Sequence, residues 1–430
     1  MIQPNQSRSR FSKIAIASLL LLGLMGCLAT NQGANAERAR PSSPPSLAQE
    51  SVAQTTDRVN SDLIAANTQF GLRLFAQLNR QSPSKNIVLS PTSVAIALGM
   101  TYNGANGATQ QAMAATLGVQ GFSLEALNQA NRDLLASLKQ PEPTVQLAIA
   151  NSLWANQQIP LKPDFLQRNQ DYYGAKVTNL NFADSKAPAI INQWVSQQTQ
   201  GKIPTIVDQV RPDDVLFLIN AIYFKGDWST PFDPKLTKNQ PFFLDNGRQI
   251  SHAAMTRAGE FRYFETDQFQ AVSLPYGKEG RMSFNLFLPK KTTALADFVK
   301  TLTPENWQTW MGQFRTIPGR IQIPRFKLEY ETELNSDLKM LGMGVAFSDQ
   351  ADFSKLSTAT TQISEVKHKT FIEVNEAGTE AAAATSVGIR LTAAPIGEPF
   401  QLVVDRPFFF AIRDNKTGTV LFMGNIQNPS

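Results

Sequence analysis

A chain of 430 residues that holds one cysteine and two histidines has little to do chemistry with. The cysteine, Cys27, has no second thiol to pair with, so no disulfide can form within the chain. No H-E-x-x-H, no G-x-S-x-G turn, no G-x-x-x-x-G-K phosphate loop and no Cys/His metal cluster can be read. Neither His252 nor His368 has the setting of a catalytic triad, so no enzyme, metal or cofactor chemistry is expected. Basic clusters are scarce as well. The net charge of +5 falls to +2 once Arg8, Arg10 and Lys13 are set aside, and no five-residue basic run is interleaved with aromatics, so no nucleic-acid partner is expected.

What is present begins with a leader. MIQPNQSRSRFSK is a positive segment, Ile14 to Met25 is an apolar run of 12 residues, and Leu24-Met25-Gly26-Cys27 follows at once. Twelve apolar residues are too few to span a bilayer. The pattern looks like a bacterial lipoprotein signal over residues 1–26, with Cys27 as the lipidated residue. Ala34-Asn35-Ala36 offers a rival secretory cleavage site. Residues 27–60, polar and rich in Ser, Pro, Ala and Gln, read as a disordered tether. The expected location is the cell envelope, lipid-anchored or secreted, with membrane contact only through the anchor.

From residue 61 to 430 no linker, repeat or charge block appears, which favours one large domain, expected as a monomer. Leu63, Phe70, Leu74 and Leu78 share a helical stripe with Asn67. Asn86 to Leu89 reads as a strand, Ser90 as an N-cap and Pro91 as the first residue of a buried helix running to Gly104. A second helix ends at Gly118, LAIANSLWAN reads as a strand, and INQWVSQQTQ as a helix stopped by Gly201. In VLFLINAIYFKGDW, Val215 to Phe224 is apolar except for Asn220, as a strand buried on both faces would be. Strand pairs follow at VSLPYGKEGRMSFNLFLP and PFFFAIRDNKTGTVLFMGNI. Strands and helices mix without regular alternation, which points to an α+β fold. His368, just before and at the start of an apolar strand, reads as a neutral, hydrogen-bonded core histidine, with a ligand or pH switch as the alternative.

Phe371 to Val374 reads as a buried strand and Leu402 to Phe410 as another, with about 25 unanchored residues between them. So long a connection inside a compact domain is usually functional or disordered. Gly378 allows a reversal of direction, after which Thr379, Ala381, Ala383 and Thr385 alternate and would share one small, uncharged face of an extended chain. Such a face suits a segment that slides between two strands; a frayed alanine helix or a plain surface loop is the bland alternative.

Four motifs in order decide between these. NIVLSPTSVAIAL, NAIYFKGDW, NEAGTEAAAAT and DRPFFFAI with LFMGNIQNP resemble the serpins, over about Asp62 to Pro429. The resemblance implies a large mixed β-sheet with two further sheets, surrounding helices and an exposed reactive-centre loop, here about residues 376–400. It implies a suicide substrate for a serine protease, a cysteine protease being an alternative target. The cut loop inserts as a new strand and drags the acyl-linked protease with it; strand addition of this kind is a known serpin behaviour. From Ala377 to Thr392 there are 16 residues, which extend to roughly 50 Å.

Counting along the hinge puts the reactive bond after Thr392, before Ala393, with Leu391 or Arg390 as alternatives. Thr392 favours an elastase-like or subtilisin-like target, whereas Arg390 would suit a trypsin-like one. The resemblance also gives Ser90, Asn192 and His368 a polar cluster where strands part, Asn220 a buried amide, Trp228 the mouth of the sheet, and Glu376 a pairing with Arg325. Residues 121 to 140 hold only Arg132 and Lys139, so no glycosaminoglycan cofactor is expected. A non-inhibitory serpin, acting as a binding or carrier module, is the alternative function.

Overall fold

The apolar stripe from Leu63 to Leu78 is the inner face of helix α1 (Ser61–Gln81), started by the Asn60 side chain, which accepts the Leu63 N–H at 3.0 Å. Strand β1 (Ile87–Leu89) leads into α2 (Pro91–Tyr102), buried along its whole length. Ser90 Oγ caps α2 by accepting the Ser93 N–H at 3.3 Å, and Pro91 stands where a missing N–H costs no helical bond. Helix α3 (Gly107–Leu117) ends at Gly118, whose φ of 74° is the left-handed cap expected of a glycine. The computed structural model describes residues 58–139, 141–379 and 399–430, all within one compact unit, Glu50–Ser430. Cys27, nearly all of the tether and the loop residues Ala381, Ala383, Thr385, Arg390, Leu391, Thr392 and Ala393 lie outside the described residues.

After α4 (Leu124–Leu138) come β2 (Val145–Asn156), α5 (Pro163–Tyr173), β3 (Lys176–Leu180), α6 (Ala187–Gln198) and β4 (Leu216–Asp227). A meander follows: β5 (Lys238–Phe243), β6 (Gln249–Glu265), β7 (Phe269–Tyr276) and β8 (Met282–Pro289). Short helices α7 (Leu295–Lys300) and α8 (Pro304–Gln313) precede β9 (Arg315–Pro324) and β10 (Phe326–Glu333). A single turn, α9 (Asn335–Leu338), precedes β11 (Glu365–Val374) and the two-residue β12 (Gly378–Thr379). Strands β13 (Phe400–Val403), β14 (Phe408–Asp414) and β15 (Val420–Ile426) close the chain.

Two sheets result. One has six strands in the order β10-β11-β12-β4-β2-β3; the other has nine, β1-β15-β14-β8-β7-β6-β9-β13, with β5 on β6. The two further sheets expected beside the large one are thus hydrogen-bonded into a single path. The long strand β6 joins them, pairing with β7 at its end, with β5 near its start and with β9 along most of its length. Two sequence boundaries shift. Leu402 to Phe410 is two strands rather than one, since Pro407 brings no N–H and the chain leaves β9 for β8 and β15 across Val404–Pro407. His368 lies inside β11, not at its edge, because pairing with β4 begins at Glu365.

Burial on both faces of β4 has a simple cause. Leu216, Leu218, Ile222 and Phe224 point into the main core, while Phe217, Ile219, Ala221 and Tyr223 point into a second cluster with Ile191 and Val195 of α6. Alternation therefore assigns Asn220 to the main-core side.

Candidate functional site: a seam between two parallel strands

Strands β4 and β11 pair in parallel from Phe217 with Glu365 to Tyr223 with Phe371, and above that point they part. Into the gap comes β12. Thr379 lies opposite Val374 on one side and Gly226 on the other, antiparallel to both. The reversal that brings it there is made by Asn375, whose Oδ1 accepts the N–H groups of Ala377 at 3.0 Å and Gly378 at 3.3 Å. Gly378 has another task. A Cβ on it would stand 2.1 Å from the Gly226 carbonyl oxygen, so only glycine lets the returning chain lie this close to β4.

The mouth of the gap is closed by aromatics. Trp228 stacks on Tyr276 with centroids 4.4 Å apart, its indole N–H donates to the Asn375 carbonyl at 2.9 Å, and its backbone N–H donates to the Ala377 carbonyl at 2.9 Å. Tyr276, fully buried, shares a 2.6 Å hydrogen bond with the Thr379 hydroxyl; burial raises the Tyr276 pKa, so the phenol stays neutral. Glu376 lies with Oε2 3.5 Å from Arg325 Nε, and its other oxygen accepts from Thr237 Oγ1 at 2.7 Å. The hinge end of the loop is therefore anchored up to Thr379, contrary to the expectation of an unanchored stretch, because its carbonyls and the Thr379 hydroxyl find partners on β4, β7 and the turn after β4.

Lower down, the seam is shut by a row of polar side chains. His368 lies opposite Asn220, and Asn220 opposite Asn151, at one level of the sheet. His368 Nδ1 meets Asn220 Oδ1 at 2.5 Å, and Nε2 accepts the Ser90 backbone N–H at 3.1 Å. The Asn220 amide donates to Ser93 Oγ at 2.5 Å and to Asn151 Oδ1. One helix start thus closes the row: Ser90 and Ser93, on the first turn of α2, supply a donor and an acceptor. Burial pushes the His368 pKa down to about 3, so the ring is neutral, as the sequence suggested.

Asn192 is not in this row. It sits on α6 and grips the following segment, its Oδ1 accepting from Ile206 and Val207 N–H at 2.9 Å each and its amide donating to the Val207 carbonyl at 2.7 Å. Its side of the sheet is the α6 side, opposite the α2 side where Ser90 and His368 meet. The members that sequence reasoning missed are Ser93, Asn151, Tyr276, Thr237 and Asn375. Asn220 carried a usable signal, a lone amide in the apolar run of β4, whereas Asn151 shares β2 with Gln146, Ser152 and Asn156 and did not stand out. Among the described residues no group of acidic, cysteine or histidine side chains converges that could hold a metal, and both nitrogens of His368 are engaged. Nothing in the row is arranged to activate a nucleophile; what the arrangement can do is admit a strand.

Comparison with known proteins agrees with that geometry. The family model for Serpin (serine protease inhibitor) matches residues 65–429. The chain belongs to the serpin family. It is 36% identical over 378 residues to Serpin B8 of Homo sapiens, covering 86% of this chain and 100% of that protein. It is 35% identical over 381 residues to the leukocyte elastase inhibitor of Sus scrofa, covering 85% and 99%. Among solved structures, the native state of the thermophilic serpin tengpin superposes with a TM-score of 0.80 at 34% identity, covering 86% of this chain and 95% of tengpin. This serpin shares with that structure the fold that brings β4, β11 and the hinge together. Serpins as a family are protease inhibitors rather than catalysts.

Proposed function

We propose that this serpin inhibits a serine protease as a suicide substrate, with strand insertion between β4 and β11 as the trapping step. One observation carries the reading: Gly378 and Thr379 already form a third strand at the top of the seam. Continuing that register downward, residue 382 would oppose Phe371 and Tyr223, the first pair that must open, and Thr385 would oppose His368 and Asn220. Thr379 faces inward, so Ala381, Ala383 and Thr385 would follow it on the inner side and Glu380 would face out. No charge would then be buried, and desolvation costing several kcal/mol is avoided.

Cleavage after Thr392 is the preferred register, with Leu391 or Arg390 as alternatives, and an elastase-like or subtilisin-like protease as the preferred target. The relative from Sus scrofa, by its name an inhibitor of leukocyte elastase, supports that choice of class. The chain would act as a monomer at a bacterial cell envelope, held by lipid on Cys27 or secreted after cleavage past Ala36. Radiolabelled palmitate should then mark the chain and not its Cys27→Ser variant.

The decisive assay incubates the chain with elastase-like, subtilisin-like, trypsin-like and papain-like proteases. A covalent adduct that survives detergent, with a fragment beginning at Ala393 that separates once the adduct is denatured, is expected with the first or second. Cleavage by all four without any adduct would make the chain a non-inhibitory carrier or binding module instead.

A further inference from the structure

Helices α1 and α7 leave a gap between them. Ala76, Asn79 and Arg80 form one stripe on the last turns of α1, spaced three and four apart, and Ala296, Val299 and Lys300 form the same stripe on α7. Each stripe begins with an alanine, where a longer side chain would narrow the gap. With Pro83, Leu302 and Gln427 these residues line a cavity of about 500 Å³, a size usual for small-molecule sites. It lies at the C-terminal end of α1, beside the end of β15, and shares no residue with the seam or with the turn between β14 and β15.

The walls are of three kinds. Ala76, Pro83, Ala296 and the buried Val299 and Leu302 are apolar. The only charged side chains in the lining are two cations, Arg80 and Lys300. Arg80 donates to the neutral Gln77 Oε1 at 2.5 Å and has no carboxylate partner among the described residues. Lys300 holds Asp297 at 2.8 Å, an exposed pair that exchanges at little cost.

The third kind is Gln427, 6% exposed. Its Nε2 donates to the Pro83 carbonyl at 2.8 Å, which fixes the amide, so the end left buried without a partner is the acceptor Oε1. Such an orphan in a cavity wall calls for a donor. Asn79 does not supply one, because its amide is turned back to the Phe75 carbonyl at 3.0 Å.

We propose that this cavity binds a small amphipathic carboxylic acid with a hydroxyl beside its head, for which a 3-hydroxy fatty acid is the simplest model. The acyl chain would lie on Val299, Leu302 and the two alanines, and the carboxylate would meet Arg80, with Lys300 free to turn to it. The hydroxyl would donate the hydrogen bond that Gln427 Oε1 lacks. A neutral head would leave Arg80 unmatched, and an acid without the hydroxyl would leave Gln427 so. The site stands whether or not the loop inserts, since the two share no residue.

The test titrates the full chain by calorimetry at neutral pH with 3-hydroxydecanoate, decanoate and 1-decanol. The hydroxy acid is expected to bind about three- to tenfold more tightly than decanoate, because one net hydrogen bond separates them, and 1-decanol most weakly. Arg80→Gln should cost both acids about fivefold and leave 1-decanol unaffected. Gln427→Leu should erase the preference for the hydroxyl. Ala296→Trp, at an exposed position, should fill the gap and abolish binding of all three. No binding, equal affinity for the three probes, or binding that survives Ala296→Trp overturns the proposal; so does a hydroxyl preference kept in Gln427→Leu. Should Gln427→Leu not fold, Arg80→Gln and Ala296→Trp decide, both being surface changes. Protease adducts form or fail independently of these titrations, so the inhibitor reading is judged apart.

Discussion

The top and the middle of the seam are closed by different means. At the top, β4 and β11 already stand apart, and the third strand between them is held by close approach and aromatic stacking: Gly378 against Gly226, Trp228 on Tyr276. In the middle the same two strands are paired, and the closure is directional, a chain of hydrogen bonds from Ser90 through His368 and Asn220 to Asn151 and Ser93. Packing tolerates a newcomer of the right size, whereas a buried hydrogen bond resists until every partner is replaced. The difference explains why the top of the seam holds a third strand while β4 and β11 stay paired below it.

Breaking the upper closure should have the largest effect. Thr379→Arg puts a charge where the native side chain is fully buried, at a cost of several kcal/mol. The hinge should leave the gap, and the chain should be cut by its target without forming a detergent-resistant adduct; undiminished adduct would mean that the gap is not the route of insertion. Next comes the lower closure. Asn220→Ala strands His368, Ser93 and Asn151 in the core and should lower the stability of the uncut chain by about 2–4 kcal/mol, seen as a lower guanidinium midpoint. An unchanged midpoint would show the polar row to be idle. Gly378→Ala sharpens the contrast, because its methyl group would strike the Gly226 carbonyl and cost about 1–3 kcal/mol. Faster proteolysis at the hinge with little change in the global midpoint is expected, as befits a defect confined to the mouth. The smallest effect belongs to Arg325→Ala. Arg325 is half exposed and 3.5 Å from Glu376, and an ion pair of that kind contributes about 0–1 kcal/mol, lost in high salt. A drop larger than this in unfolding measurements would assign Arg325 a role beyond the ion pair.

Local signals in the sequence reached far into this fold. The cap at Ser90, the proline after it and the apolar run of β4 with its lone amide are decided within a few residues, and they appear where the pattern put them. The row around Asn220 was only half legible, because register is a long-range property: Asn151, Asn220 and His368 come level only when three strands align. Asn192 shows the same limit from the other side. Its place on α6 was readable, but which face of the sheet that helix covers was not, and the amide serves the segment at Ile206 and Val207 instead. The hinge glycine and its place in the reversal were visible, but the close approach to Gly226 that it permits was not, since a turn signal says nothing of what lies against the turn.

On the far side of the loop, Phe400 lies flat on Tyr263 at 3.8 Å and fills the space above Gly319, where a Cβ would meet its ring at 2.2 Å. Behind it, β14 and β15 run through the middle of the nine-stranded sheet. A nick anywhere between Thr379 and Phe400 therefore divides the polypeptide without parting the molecule. The tail stays moored like a keel while the other severed end is released, and the two fragments should travel together through gel filtration and separate only once the protein is unfolded.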